Sequence, residues 1–258
     1  MPRFTDKVAI ITGASTGLGP IMARMMAAEG ARVVMAARRI ALVEKEAADI
    51  GEAAVAVRAD VTQEADVAAM VDVAMRRWGQ VDIMINNAAI PGTDKYIWEQ
   101  TLENWNATIA VDVTAAMLCS REVVQRTMMA RKSGSIVNLS SGAGRAPYMR
   151  KGHYCTAKAG LISFTAVLAQ ELADHGIRAN CVVPGPIDTE LLRNYYKRIA
   201  REQGITAEEV MKNAMVKVAQ KRPCAPEEIA NAVLFLASDD ASCITGQSVN
   251  ADGGTHFN

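Results

Sequence analysis

Short runs of apolar, β-branched residues alternate along the chain with longer segments whose apolar positions recur every three or four residues. Val8–Thr12, Arg32–Ala36, Ala53–Arg58, Val81–Ile85, Ser135–Leu139 and Arg178–Val183 read as six strands, and Ser248–Asn250 as a short seventh. Between them the spacing predicts helices over Gly17–Glu29, Arg39–Ile50, Glu64–Trp78, Leu102–Ala130, Tyr154–Ala173 and Glu227–Ala237. The strand runs are continuously apolar rather than alternating, as in a parallel sheet covered on both faces. Repeated strand–helix units therefore predict an α/β fold with a doubly wound parallel sheet, Rossmann-type. A (β/α)₈ barrel competes on length, and the glycine-rich first turn argues against it. No Pro/Gly/Ser linker or change of composition divides residues 1–258, so a single domain is expected.

The rhythm breaks once. From Pro184 to Pro226 the pattern is helical but loosely periodic, chiefly over Thr189–Val218. An insertion after a strand's carboxyl end lies where open α/β sheets bind ligands. Residues 188–220 are expected to form a helical substrate lid after the sixth strand; the alternative is a surface excursion without a role.

Composition then removes several classes. Lys plus Arg and Asp plus Glu are 28 each, so the basic excess of a dedicated nucleic-acid binder is missing. No apolar run approaches the ~20 residues that span a bilayer, and Met1–Lys7 does not open a secretory leader. The five cysteines are odd in number, widely spaced and without a C-x-x-C; the three histidines have no ligand spacing. The expectation is a reduced, cytoplasmic protein without metal, nucleic-acid or membrane partners.

Two constellations carry chemistry. The first strand runs directly into Thr12–Gly19, where Gly13, Gly17 and Gly19 are spaced G-x-x-x-G-x-G and Pro20 falls in the first helical turn. Such a turn lets backbone N–H groups approach a pyrophosphate at a helix N-terminus. In the second, Tyr154 and Lys158 stand four apart at a predicted helix start, on one face. A tyrosine ordinarily titrates near ~10, and an adjacent ammonium favours the phenolate, so the pair suits proton exchange with an alcohol or carbonyl.

Six landmarks follow in order: Thr12–Gly19, Asp60-Val61, Asn86–Ala89, Ser141, Tyr154–Lys158 and Pro184–Thr189. Together they resemble a short-chain dehydrogenase/reductase of the single-domain type, over essentially the whole chain. The resemblance implies that Gly13, Ser15, Thr16, Gly17, Leu18 and Gly19 hold the dinucleotide phosphates. Asp60 and the Val61 backbone would meet the adenine, and Asn87 and Ala88 the adenosine ribose. Tyr154 and Lys158 would meet the nicotinamide ribose, and Pro184, Gly185, Ile187 and Thr189 the nicotinamide. Ser141 would polarise the reacting oxygen (Ser140 if the register slips by one), with Tyr154 as acid/base and Lys158 beside it. Asp112 stands where the family usually has asparagine, and is the fourth member of that set. Ala37 replaces the aspartate of NAD-preferring relatives and is followed by Arg38 and Arg39, which favours NADP; NAD stays open, since both arginines suit a solvated helix start and Thr16 lacks a second basic group. A homotetramer pairing the helices at 102–130 and 154–173 is also implied.

The substrate pocket is expected among Ser141–Met149, the segment after Asn87 and the insertion, with Ala143, Tyr148, Met149, Trp98, Leu192 and Tyr196 as walls. Arg145, Arg150, Lys151, Arg193 and Lys197 lie close by in sequence, pointing either to a polar or anionic substrate or simply to solvated loops. His153 reads as a loop residue, less readily as a substrate contact. The first reading is an NADP-linked oxidoreductase for a secondary alcohol or ketone, a small molecule. An NAD-linked dehydrogenase of a polyol, sugar derivative or hydroxy acid is one alternative. A nucleotide-sensing binding protein is another, though a sensor does not require Ser141, Tyr154 and Lys158 together.

Overall fold

The computed structural model describes residues 2–257. Its strands are β1 (Val8–Thr12), β2 (Arg32–Ala37), β3 (Ala54–Arg58), β4 (Ile83–Asn86), β5 (Gly134–Leu139), β6 (Ile177–Pro184) and β7 (Ser248–Ala251). All five β1 residues are buried, as a strand covered on both faces requires. The strands form one parallel sheet in the order β3-β2-β1-β4-β5-β6-β7, with Ile10 of β1 level with Val34 and Met84 on its two neighbours. The sheet is open, with β3 and β7 at its edges, so the doubly wound fold holds and the barrel does not. Chain direction across the sheet reverses at β1 and β4, leaving a crevice beyond their carboxyl ends.

Each face carries its own apolar layer. On one, Met22 and Met26 of α1 (Leu18–Ala28) and Ile229 and Val233 of α10 (Pro226–Ala237) cover Ile11 and Ile85. On the other lie α3 (Glu64–Trp78), α5 (Ala115–Val123) and α7 (Gly152–Leu172), whose Met70, Leu118 and Leu168 pack over Ile10, Met84 and Ile136. A further helix, α2 (Ile40–Ile50), joins β2 to β3.

Two departures from the sequence reading bear on the site, and the insertion, helical as expected, gains detail. β4 begins at Ile83 rather than Val81, whose N–H is taken by Thr127 Oγ1 at 3.3 Å. The stretch expected as one helix is α4 (Leu102–Ile109), α5 and α6 (Met129–Arg131), joined by π-helical turns at Ala110–Thr114 and Val124–Met128. Finally, residues 184–226 hold two capped helices, α8 (Glu190–Gln203) and α9 (Ala207–Met215). The Thr189 hydroxyl accepts from Leu192 N at the start of α8; Gly204, at φ +68°, ends it. Thr206 and Glu209 form a reciprocal capping box on α9. Tyr196, Ala200 and Val210 then give α8 and α9 a small core of their own. Among the described residues, no helix is long and apolar enough to cross a membrane.

Candidate active site

The crevice is closed at its base by hydrogen bonds between the ends of β1 and β4. Thr12 Oγ1 accepts from Asn87 N and Ala88 N, both at 3.1 Å, and donates to Ile85 O at 3.3 Å. The Asn87 amide donates back to Thr12 O at 2.8 Å and to Gly13 O at 3.2 Å. Packing at this junction dictates two of the three glycines. A Cβ on Gly13 would lie 2.9 Å from Ala88 Cα, and one on Gly19 only 2.5 Å from Gly13 O. Gly17 differs: its φ is +68°, yet open space surrounds the position a Cβ would take, and no side chain caps α1 there. The first N–H groups of α1 are thus presented to the crevice, a cradle that fits a pyrophosphate. Ser15, Thr16 and Leu18 complete the turn.

Beside this turn β2 ends at Ala37. Arg39 reaches over it, donating through Nη2 to Ser15 Oγ at 2.9 Å and Thr16 Oγ1 at 2.8 Å. Arg38 is exposed and shares the edge with Asp60, whose Oδ1 accepts from Thr62 N at 3.0 Å and Thr62 Oγ1 at 2.8 Å. Burial tends to raise the Asp60 carboxyl, but the Thr62 hydrogen bonds and the charges of Arg38 and Arg58 outweigh it and hold it low. Val61 is buried behind it. At the far end, Gly185 N donates to Ala251 O at 3.1 Å, and a Cβ there would press within 2.7 Å of Asp252 Cα. Ile187 bridges to Cys224, fixing the Pro184–Thr189 turn before α8.

The centre forms where β5, the π turn and α7 meet. Lys158 is 2% exposed; its Nζ donates to Leu139 O at 3.0 Å and lies 3.2 Å from Asp112 Oδ2. Asp112 belongs to the Ala110–Thr114 π turn, a local widening of the helix frequent at functional sites, and is buried there. Its Oδ1 accepts from Ile90 N at 2.8 Å, which ties it to the loop after β4. Burial pushes the Asp112 carboxyl up, against the pull of Lys158 and the Ile90 N–H. For Lys158 burial acts downward, but Asp112 and Tyr154 outweigh it and keep the ammonium charged. That ammonium lies 5.6 Å from the centroid of the half-buried Tyr154 ring.

The two neighbouring serines differ in burial. Ser140 Oγ donates to Lys158 O at 2.8 Å and is spent inside the core. Ser141, half-buried, accepts from Ala143 N at 3.2 Å and keeps its hydroxyl proton to give. Gly144 makes the fit possible, since a Cβ there would lie 2.8 Å from the Lys158 carbonyl carbon.

Several wall residues differ from expectation. His153 is not a loop residue. It is buried on α7, with Nε2 3.1 Å from Pro91 O and Nδ1 2.7 Å from Gln100 Nε2. Those partners require the neutral Nε2–H tautomer. Tyr196 faces the α8–α9 core; the helical phase turns Tyr195 toward Lys151 instead, with Lys151 Nζ 5.9 Å from its ring centroid. Of the basic residues, Arg193 is engaged by Asp188, Arg145 donates to Ser248 O, and Arg150 lies over the Tyr96 ring. Lys151 joins the site, its Nζ 5.8 Å from the Tyr154 ring centroid and 2.7 Å from Asp94 Oδ1. Sequence reasoning passed over Asp94, Tyr195 and Arg198, because their partners are brought in from distant segments. Among the described residues no group of three or more His, Cys, Asp or Glu has a metal-binding arrangement.

This constellation has counterparts among known proteins. The family model described as Enoyl-(Acyl carrier protein) reductase matches residues 13–256, from the first glycine of the turn to the last histidine. The chain belongs to the short-chain dehydrogenase/reductase family. Like its relatives it is an oxidoreductase of the NAD(P)-dependent kind acting on CH–OH groups. A 3-oxoacyl-[acyl-carrier-protein] reductase of Synechocystis sp. is 35% identical, over 98% of this chain and 98% of that protein. A cis-4-hydroxycyclohexanecarboxylate dehydrogenase of Sinomonas cyclohexanicum is 36% identical, over 97% of each. A galactitol 2-dehydrogenase of Agrobacterium fabrum is also 36% identical, over 98% of each. These short-chain dehydrogenase/reductase relatives thus span thioester, alicyclic acid and polyol substrates, and family membership by itself leaves the substrate open.

Proposed function

We propose that this protein is an NADP-linked oxidoreductase interconverting a secondary alcohol and a ketone, with Tyr154 as acid/base. The observation that carries this reading is the buried Asp112–Lys158 pair beneath Tyr154, beside a Ser141 hydroxyl whose proton is uncommitted. Bound nicotinamide dinucleotide supplies or takes up the hydride. In reduction, Tyr154 gives its proton to the oxygen of the former carbonyl. Ser141 donates a hydrogen bond to the same oxygen and stabilises its developing charge. The Lys158 charge steadies the Tyr154 oxygen as its proton departs, and its ammonium also holds the nicotinamide ribose. Asp112 keeps that ammonium charged and in place. In oxidation the proton runs back from the alcohol to Tyr154.

For the cofactor, the open side of Gly17 and the uncapped start of α1 receive the pyrophosphate, with Gly13, Ser15, Thr16, Leu18 and Gly19 around it. Asp60, Val61, Asn87 and Ala88 enclose the adenosine; Pro184, Gly185, Ile187 and Thr189 hold the carboxamide side. Arg38 and Arg39, with no acid at Ala37, favour a 2′-phosphate and hence NADP over NAD. Helices α8 and α9, within residues 188–220, act as the lid of this single-domain enzyme. A cytoplasmic homotetramer completes the proposal.

The purified protein should be assayed by nicotinamide absorbance against a 3-oxoacyl thioester, galactitol, cis-4-hydroxycyclohexanecarboxylate and simple secondary alcohols, with NADP(H) and NAD(H). Turnover is expected with NADP(H) preferred, and Tyr154→Phe should cut kcat by about 10²–10⁴. Arg38→Asp should weaken NADPH binding far more than NADH binding; equal losses would overturn the cofactor assignment. Dinucleotide binding without turnover across the panel would favour a sensor instead.

A further inference from the structure

Asp94, in the loop between β4 and α4, carries two cations from segments far away in the chain. Its Oδ1 lies 2.7 Å from Lys151 Nζ and its Oδ2 2.6 Å from Arg198 Nη2, and its side chain is only 14% exposed. Lys151 sits three residues before Tyr154; Arg198 stands on α8. One carboxylate thus joins the loop after β4, the turn leading into α7 and the first helix of the insertion. Aromatic rings continue the connection. Lys151 Nζ faces both Tyr154 and Tyr195, at 5.8 and 5.9 Å from their centroids, and Arg198 Cζ lies 5.2 Å from that of Tyr195. A backbone bond from Lys95 N to Arg150 O, 2.9 Å, runs alongside.

The other ion pairs of α8 are different in kind. Arg193–Asp188 and Arg198–Glu202 are exposed and local in sequence, so they tie the helix to nothing beyond itself and contribute little. Helix α8 packs chiefly on α9, with only sparse contacts to the other helices and strands. The Asp94 connection is therefore its principal polar attachment to the catalytic turn. Burial would raise the Asp94 carboxyl, but Lys151 and Arg198 hold it low, so it stays charged.

We propose that Asp94 is a positioning residue for the reaction: through Lys151 and Arg198 it straps the α8–α9 unit to the turn bearing Tyr154, and so holds substrate against that tyrosine. The reacting group named here rests on the function proposed above; the strap itself rests on the Asp94 geometry alone.

The test uses the full chain with NADPH bound and compares wild type, Asp94→Asn, Arg198→Gln and Arg198→Lys. Amide hydrogen exchange over residues 188–218 is expected to quicken by about tenfold in Asp94→Asn and Arg198→Gln, with β6 and the rest of α7 unchanged. KM for the best substrate should rise about tenfold with kcat held within twofold, and Arg198→Lys should recover most of both effects. Faster exchange throughout the molecule, or wild-type exchange at 188–218, overturns the strap; so does an unchanged KM. If Asp94→Asn does not fold, Arg198→Gln carries the same outcomes from a half-buried position. An inactive wild type would refute the proposed reaction, while the exchange data would still decide the strap.

Discussion

Asp112 stands where the resemblance implies an asparagine, and the structure gives a carboxylate at that position a physical consequence. A buried ammonium prefers to lose its proton; Lys158 keeps it because a carboxylate lies 3.2 Å away. Removing one member of such a pair typically costs about 3–5 kcal/mol, chiefly through the stranded charge. The sign with pH follows. In the wild type the folded pKa of Lys158 is raised, so its contribution to stability is present below the unfolded value of 10.5 and lost as pH climbs through the folded one. In Asp112→Asn the charge and the hydrogen bond that together most oppose burial are gone, so burial is expected to depress the folded pKa against the weaker pull of Tyr154 and Cys181. The variant is then destabilised at neutral pH and recovers as pH approaches 10.5. Melting curves from pH 6 to 10 should show the gap between the two proteins narrowing; a gap constant with pH would mean that Lys158 does not depend on Asp112.

At the scale of elements, the reading by periodicity was sharpest where a segment buries one continuous apolar set and coarsest where the helix is locally widened. β1 and α3 match their expected bounds because each buries one continuous apolar set. The π turns around Asp112 left no periodic trace, since an insertion of one residue per turn merely blurs a 3.6 period. The insertion read as loosely periodic because α8 and α9 bury only a narrow stripe, on each other. Their ends carry cap residues that periodicity does not register: Thr189, Gly204, Thr206 and Glu209. Thr206→Ala removes the acceptor for Glu209 N and should cost α9 about 0.5–2 kcal/mol. Hydrogen exchange should locate that loss in residues 207–215, with the melting temperature of the whole protein nearly unmoved.

For the whole molecule, α7 and α4 each leave an apolar side chain exposed to solvent. α7 turns Leu168 and Leu172 inward but leaves Val167 49% exposed, and α4 opens on an exposed Leu102. These are the helices through which the tetramer is proposed to form. Light scattering at micromolar concentration should then give four times the 27.6 kDa chain mass. Val167→Glu should shift the population toward smaller species while leaving the fold, by circular dichroism, intact. A wild-type monomer would refute the assembly.

The sequence by itself determined the sheet class and the glycine turn, and it singled out Ser141, Tyr154 and Lys158 as the residues to test. Each of these is local: a run of apolar residues, a spacing of glycines, or two side chains one helical turn apart. Even the choice between Ser140 and Ser141 lay within a single residue of resolution. Tertiary structure alone decided which serine is spent in the core, that His153 is a buried brace, and that Tyr195 rather than Tyr196 faces the site. It alone joined Asp94 to Arg198 across 104 residues. Such contacts depend on the sheet order and the phase of helices against it, and neither is written in any short stretch of the chain.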